Sequence, residues 1–202
     1  DNVDVEFYTQ EEIDDLKNNQ EDNNPISPMY TQNNKETNTI HHFENTNFCS
    51  NLNKKFTFEN FIVGNTNKFA QAAALEVAEN PGVLYNPLFI YGNSGLGKTH
   101  LMHAIGNYIV LNSNKKVLYV TSDQFRDDFV SINRKDQDGT NFNYKEFFKN
   151  KYRNIDVLII DDIQFLGGAN QTQQEFFHTF TNLYNDSKQI IVSSDRSPND
   201  LK

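Results

Sequence analysis

The sequence predicts an α/β fold, a parallel sheet with helices on both faces, preceded by a long segment without fixed structure. Three observations lead there. From about residue 54 onward, short apolar runs alternate with amphipathic helical stretches, the pattern of a parallel sheet. A glycine-rich octet, Gly92-Asn93-Ser94-Gly95-Leu96-Gly97-Lys98-Thr99, joins the first of these runs to a helix. A later run, residues 155–160, is apolar throughout and ends on the adjacent carboxylates Asp161 and Asp162, as a strand covered on both faces would.

Composition divides the chain. Residues 1–50 carry eleven acidic and two basic side chains, whereas residues 51–202 carry sixteen of each. The formal net charge of −9 therefore belongs to the first segment, and the remainder is electrically balanced. Residues 1–50 are also rich in Asn, Gln and Thr and poor in apolar side chains, so they bury too little surface to offset chain entropy. They are expected to form an acidic, Asn-rich linker, with residues 3–16 as the frayed end of something upstream. The single cysteine, Cys49, excludes an internal disulfide and a cysteine-based zinc cluster. His41 and His42 have no companions at ligand spacing and read as solvated. No apolar run approaches the roughly 20 residues that span a bilayer, and no secretory pattern opens the sequence. A reducing, cytoplasmic location is expected.

The elements follow in order. Phe56, Phe58, Phe61, Ile62 and Val63 form an apolar lead-in closed by Gly64-Asn65. Asn65 or Thr66 is expected to cap a helix bearing Phe69, Ala73 and Val77 on one face, ended by Asn80-Pro81-Gly82. Residues 88–91 are the first strand. Leu101, Ile105, Tyr108 and Ile109 then mark a helix packed on one side. Residues 117–121 form the second strand, followed by a helix with Phe125, Phe129 and Ile132 on one face. Residues 133–143 read as a polar loop and 144–152 as another helix. After the third strand, Thr172-Gln173-Gln174-Glu175 is a capping-box pattern. It precedes a helix with Phe176, Phe180, Leu183 and Tyr184 on one stripe. Residues 190–192 are the fourth strand, ending in Ser193-Ser194-Asp195-Arg196.

The chemistry lies where each strand ends. The octet is the phosphate-loop pattern: glycines let successive N–H groups converge on an anion, and the following helix adds its positive end. Lys98 supplies a mobile charge for the outer phosphates, and the Thr99 hydroxyl is placed to ligate Mg²⁺. A glycine turn before a helix is common, but the full octet between strand and helix points to a nucleoside triphosphate, ATP first. Asp161 is the candidate to hold Mg²⁺, and Asp162 to orient or deprotonate an attacking water. A polar residue after the fourth strand would sit between these carboxylates and the γ-phosphate. Lys145, Lys149, Lys151 and Arg153 interleave with aromatics and offer a face for nucleic-acid phosphates. Taken on residues alone, an ordinary amphipathic helix with solvated lysines is the better reading of that stretch.

Residues 86–106 resemble the bacterial chromosomal replication initiator family DnaA, of the AAA+ class. So do Asp161-Asp162-Ile163-Gln164-Phe165-Leu166 and Gln174-Glu175-Phe176-Phe177-His178-Thr179-Phe180. Ser193-Ser194-Asp195-Arg196 and Phe56-Thr57-Phe58-Glu59-Asn60-Phe61 complete the match, which spans about residues 54–202. The resemblance implies a partial AAA+ ATP-binding domain over residues 51–202. Gly92, Gly95, Leu96, Gly97, Lys98, Thr99 and His100 would bind ATP, Thr99 and Asp161 would hold Mg²⁺, and residues 61–64 would border the adenine. Asp162 and Asp195, the latter as sensor 1, would be the catalytic residues. It further implies an ATP switch that assembles a filament on origin DNA, promotes duplex opening and hydrolyses slowly. The helices between the second and third strands would touch single-stranded DNA, which raises the DNA reading of Lys145, Lys149, Lys151 and Arg153. The replicative helicase or its loader, and acidic membrane lipids, are further implied partners.

Three departures from the family pattern stand out. The loop 135–143 is longer, Ala169 replaces a common Lys, and a fifth strand, arginine finger, lid and double-strand-reading domain are expected beyond residue 202. The alternative of another class is a helicase-loader-like ATPase acting on a protein partner. A small-molecule kinase fares worst, since no acceptor motif is present.

Overall fold

The computed structural model describes residues 50–131, 143–168 and 170–200, with the side chains of Tyr144 and Lys145 outside the description. Residues 1–49 of the expected linker, including 3–16, lie outside the described residues. So do Ile132 of the expected helix face, residues 133–142 of the expected polar loop, Ala169 and residues 201–202.

Helix α1 (Lys68–Glu79) leads to β1 (Leu88–Tyr91), α2 (Lys98–Asn112), β2 (Val117–Thr121) and α3 (Ser122–Ser131). Then come α4 (Tyr144–Arg153), β3 (Val157–Asp161), a 3₁₀ turn (Ile163–Leu166), α5 (Asn170–Asn185) and β4 (Gln189–Ser194). The four strands pair in the order β1-β4-β3-β2, all parallel. Alternation along each strand sorts side chains into two cores. Val117, Tyr119, Val157, Ile159 and Ile191 pack with α1 and α2 on one face. Leu118, Val120, Leu158, Ile160, Ile190 and Val192 pack on the other face with Phe125 of α3, Phe148 and Tyr152 of α4, and Leu183 of α5. The expected parallel sheet with helices on both faces is the observed one, and β2 falls on its predicted residues.

Several boundaries differ, each for a local reason. Strand β3 begins at Val157, not Ile155, because the N–H groups of Asp156 and Val157 both donate to Lys116 O (2.8 and 3.1 Å). Strand β4 runs two residues further than expected, so Ser193 and Ser194 are fully buried strand residues. The pattern at 172–175 is not a cap: α5 already starts at Asn170, Thr172 is buried within its first turn, and Glu175 pairs with Arg153. The reciprocal capping box is built at Thr121 and Gln124 instead. There Gln124 N donates to Thr121 Oγ1 (3.2 Å) and Thr121 N to Gln124 Oε1 (3.1 Å). Asn143, assigned to the loop, caps α4 by accepting from Glu146 N (3.1 Å). The residue before α1 is Asn67, not Asn65 or Thr66. Its side chain accepts from Gly64 N (2.7 Å) and donates to Ile62 O (3.0 Å), folding the lead-in back on itself. Helix α2 is buried on more than one side, for residues 101–107 are all buried.

Asp156 holds three strands together at their N-terminal ends. Its Oδ2 accepts from Lys116 N (2.9 Å), its Oδ1 from Lys188 Nζ (2.6 Å), and its carbonyl from Gln189 N (3.0 Å). Burial alone would raise this carboxyl, but the Lys188 ammonium, the Lys116 N–H and the charge of Lys115 together hold it low. A carboxyl that titrates lower when folded contributes stability above its unfolded pKa of about 3.9. That contribution fades as pH falls through the folded value. Asp156→Asn is expected to cost about 1 kcal/mol at pH 7. The deficit should shrink toward zero in urea unfolding curves repeated at progressively lower pH below 4.

Candidate nucleotide site

Strand β1 delivers the loop. Its last residue, Tyr91, pairs with Ser194 of β4, and Gly92 N donates to Ser194 O (3.3 Å), so the chain leaves the sheet beside the end of β4. The loop then turns through residues 93–97 into α2. Gly97, the residue before the helix, has φ +91°, and a Cβ there would lie 3.0 Å from the Phe61 ring. Both the backbone conformation and the packed ring require glycine. Lys98 folds over the loop, its Nζ donating to Gly92 O (2.6 Å) and Asn93 O (3.1 Å). Its charge is thus placed at the loop mouth and held by neutral carbonyls, which an anion would displace.

The end of β3 is built around one carboxylate. Asp161 is 2 % exposed, and three hydroxyls donate to it. Thr99 Oγ1 and Tyr119 Oη each reach Oδ2 at 2.8 Å, and Ser193 Oγ donates to Oδ1. Strand register explains the meeting. Tyr119 stands opposite Ile159 and Thr121 opposite Asp161, so Tyr119 and Asp161 share the sheet face that packs on α2. Continuing the β3–β4 register from Ile159 and Ile191 sets Ser193 beside Asp161. A buried carboxylate stays charged at acceptable cost when donors satisfy its lone pairs. Burial, followed by the charge of Asp161, pushes the Tyr119 pKa above the ordinary tyrosine value, so the hydroxyl keeps the proton it donates.

Ser193 also accepts from Asp162 N (2.9 Å), which fixes the turn after the strand. Asp162 sits there at φ +58°, in the left-handed region that Asp tolerates better than most residues. Gln164 bridges onward: its Nε2 donates to Asp162 Oδ1 (3.2 Å) and its Oε1 accepts from Asp195 N (3.3 Å). One amide therefore joins the Asp162 carboxylate to the backbone of Asp195.

Next to the loop lies a cavity of about 460 Å³. Phe61, Asn67 and Ala70 line one side, Gly92, Gly97 and Lys98 another, and Asp195 and Arg196 a third. It is apolar where the lead-in and α1 wall it and polar where the loop opens. Thr99 and Asp161 offer oxygen donors in direct contact, and oxygen is the chemistry that Mg²⁺ selects. Among the described residues no group of three or more His, Cys, Asp or Glu could hold a metal. A cation here would complete its shell from phosphates and water, as Mg²⁺ habitually does. The residues present fit that ion.

The model for the bacterial DnaA ATPase domain matches residues 52–202. The chain belongs to the bacterial DnaA family. Domain III of the Thermotoga maritima replication initiation protein DnaA is 50% identical with a TM-score of 0.67, over 75% of this chain and 60% of that one. AMPPCP-bound DnaA from Aquifex aeolicus, and a replication initiator DnaA bound to AMPPCP and single-stranded DNA, are each 46% identical with TM-scores of 0.67. Each match covers 75% of this chain and 45% of the relative. The chain thus spans less than two thirds of the length of each of these DnaA structures. The DnaC helicase loader, at 20% identity and a TM-score of 0.57, shares the fold alone.

Within this DnaA-family site the predicted residues divide. Lys98, Thr99, Asp161, Asp162 and Asp195 converge on the C-terminal edge of the sheet, and Gly92, Leu96 and Gly97 line the cavity. The side chain of His100 turns away from it. His100 stacks on Phe56 (4.8 Å between ring centres), and its Nε2 donates to Thr57 O (2.9 Å). On α4, Lys151 pairs with Asp128 (2.6 Å) and also lies 5.8 Å from the centre of the half-exposed Phe147 ring, Arg153 pairs with Glu175 (2.8 Å), and Lys149 is exposed. Sequence reasoning gave no role to Tyr119 or to Gln164. A tyrosine inside a strand whose neighbours are all apolar was the available signal, because a buried hydroxyl requires a partner.

Proposed function

We propose that residues 51–202, a partial AAA+ domain behind an acidic linker of residues 1–50, bind ATP with Mg²⁺. We further propose that this binding is the switch of a chromosomal replication initiator. The single observation that carries the reading is the contact between Thr99 and Asp161, made beside a loop already occupied by the Lys98 ammonium. The cavity beside that loop has the volume and the mixed lining a purine nucleotide requires. Related initiators bound to AMPPCP support the same ligand class.

In this reading the loop N–H groups and Lys98 hold the phosphates, and the apolar wall at Phe61 and Ala70 receives the base. Bound Mg²⁺ would be held by Thr99 and Asp161 and would supply charge neutralisation on the phosphates. Asp162 orients the attacking water. Asp195 senses the γ-phosphate, and Gln164 keeps these two in step. Hydrolysis is slow, so ATP serves as an assembly signal for filament formation and opening of origin DNA in a cytoplasmic setting. Helicase, loader and lipid contacts belong to the same reading of the whole protein. A loader-like role on a protein partner is supported by fold likeness alone.

The proposed single-strand contact narrows on α4. Lys151 and Arg153 are engaged in ion pairs, and among the candidate cations whose side chains are described Lys149 is the exposed one.

Two measurements test these readings. Lys98→Ala is expected to weaken ATP binding at least about tenfold in titration calorimetry, the loss of one charge-assisted contact. An unchanged affinity would remove the phosphate-loop assignment. Lys149→Ala should reduce the slope of log affinity for a single-stranded oligonucleotide against log salt by about 1. An identical slope in the wild type and the variant would return α4 to a purely structural helix.

A further inference from the structure

Tyr119 has attachments on four sides. Strand β2 is an edge of the sheet, and residues 50 and 51 lie along its open side. Tyr119 N donates to Ser50 O (3.0 Å), and Tyr119 O accepts from Asn51 Nδ2 (3.3 Å). Its ring lies 4.0 Å, centre to centre, from that of His103 on α2. Its hydroxyl donates to Asp161 Oδ2.

The segment that shields this edge is also bound along α2. Asn107 Nδ2 donates to Asn53 O (2.9 Å) and to Phe56 O (2.8 Å), and Asn53 N donates to His103 Nδ1 (3.2 Å). Leu52 packs so closely that a Cβ on Gly106 would lie 2.6 Å from its side chain. Helix α2 carries Lys98 and Thr99 in its first turn. The two hydroxyls on Asp161 Oδ2 therefore come from the two elements that residues 50–58 tie together.

We propose that Tyr119 is a positioning residue for magnesium–nucleotide binding, fixing the Asp161 carboxylate beside Thr99 and linking that carboxylate to the seating of residues 50–58. A carboxylate torsion is broad when nothing holds it, so part of a cation's binding energy would go into ordering it. A donor already in place removes that cost. The neighbouring strands place the tyrosine, and the 50–58 segment fixes the edge strand that carries it. This inference rests on the reading of Asp161 as the carboxylate on the metal side of the site.

The test uses the 202-residue chain and compares its Kd for ATP in excess Mg²⁺ with its Kd in EDTA, for wild type and three variants. The wild type binds more tightly with Mg²⁺. Tyr119→Phe keeps the ring on His103 and should hold the EDTA value within about twofold, while losing about fivefold to tenfold of the Mg²⁺ enhancement. Tyr152→Phe is the matched control: it removes another buried tyrosine hydroxyl, one that donates to Asp128 (2.6 Å) in the opposite core. It should lower the Tm and leave the enhancement intact. Asn107→Ala, which releases the Asn53 and Phe56 carbonyls, should reduce the enhancement about threefold with the EDTA value unchanged. It also serves if Tyr119→Phe does not fold. Wild-type enhancement in Tyr119→Phe, or equal loss in Tyr119→Phe and Tyr152→Phe, overturns the positioning role. Full enhancement in Asn107→Ala overturns the link to residues 50–58. Absence of any enhancement in the wild type removes the magnesium–nucleotide reading itself, and this inference with it.

Discussion

A charged carboxylate that is almost wholly buried must have its oxygens hydrogen-bonded, and Asp161 sets that requirement for the rest of the molecule. Its three hydroxyl partners come from α2, β2 and β4, so satisfying one side chain brings three separate elements to a common point. The parallel order β1-β4-β3-β2 makes this possible, because it sets β3 between β2 and β4 with their C-terminal ends together. Two apolar cores, one on each face, hold the sheet rigid behind the site. The carboxylate is thereby fixed before any ligand arrives. Removal of a single donor would leave a buried charge short of a partner, which costs more than the hydrogen bond itself contributes.

The phosphate-loop helix is held from the side opposite the ligand as well. His100, His103, Gly106 and Asn107 recur at helical spacing and together form the bed for residues 52–57. His103 accepts a backbone N–H at Nδ1, which requires the neutral ring there, and its pKa is lowered, chiefly by burial. The polar face that would ordinarily meet water is thus consumed by backbone groups of the preceding segment. That explains why α2 is buried nearly all round its middle turns although its sequence is only moderately apolar.

Legibility in the sequence followed the range of the interactions. Apolar runs announced all four strands, since strands covered on both faces have no polar alternation to confuse them. The phosphate loop was readable because its residues act within eight positions of one another. What escaped was long-range or reciprocal. Gln164 joins Asp162 to Asp195 across 31 positions, and Tyr119 reaches Asp161 across 42. Neither pairing leaves a local pattern. The capping box was expected at Thr172 because the motif fits there, but Arg153 claims Glu175 and the helix starts earlier. A similar pattern at Thr121 and Gln124 went unread because the strand ends on the cap itself. His100 was grouped with the ligand by its position after Thr99, yet the aromatic lead-in takes its ring.

The most direct measurement is ATP binding by Asp161→Asn, with and without Mg²⁺, in protein that still unfolds cooperatively. Asparagine keeps the size and the acceptor oxygen but removes the charge. If Asp161 organises a magnesium–nucleotide site, affinity in EDTA stays near the wild-type value and the Mg²⁺ enhancement disappears. An enhancement equal to that of the wild type would contradict the account at its centre.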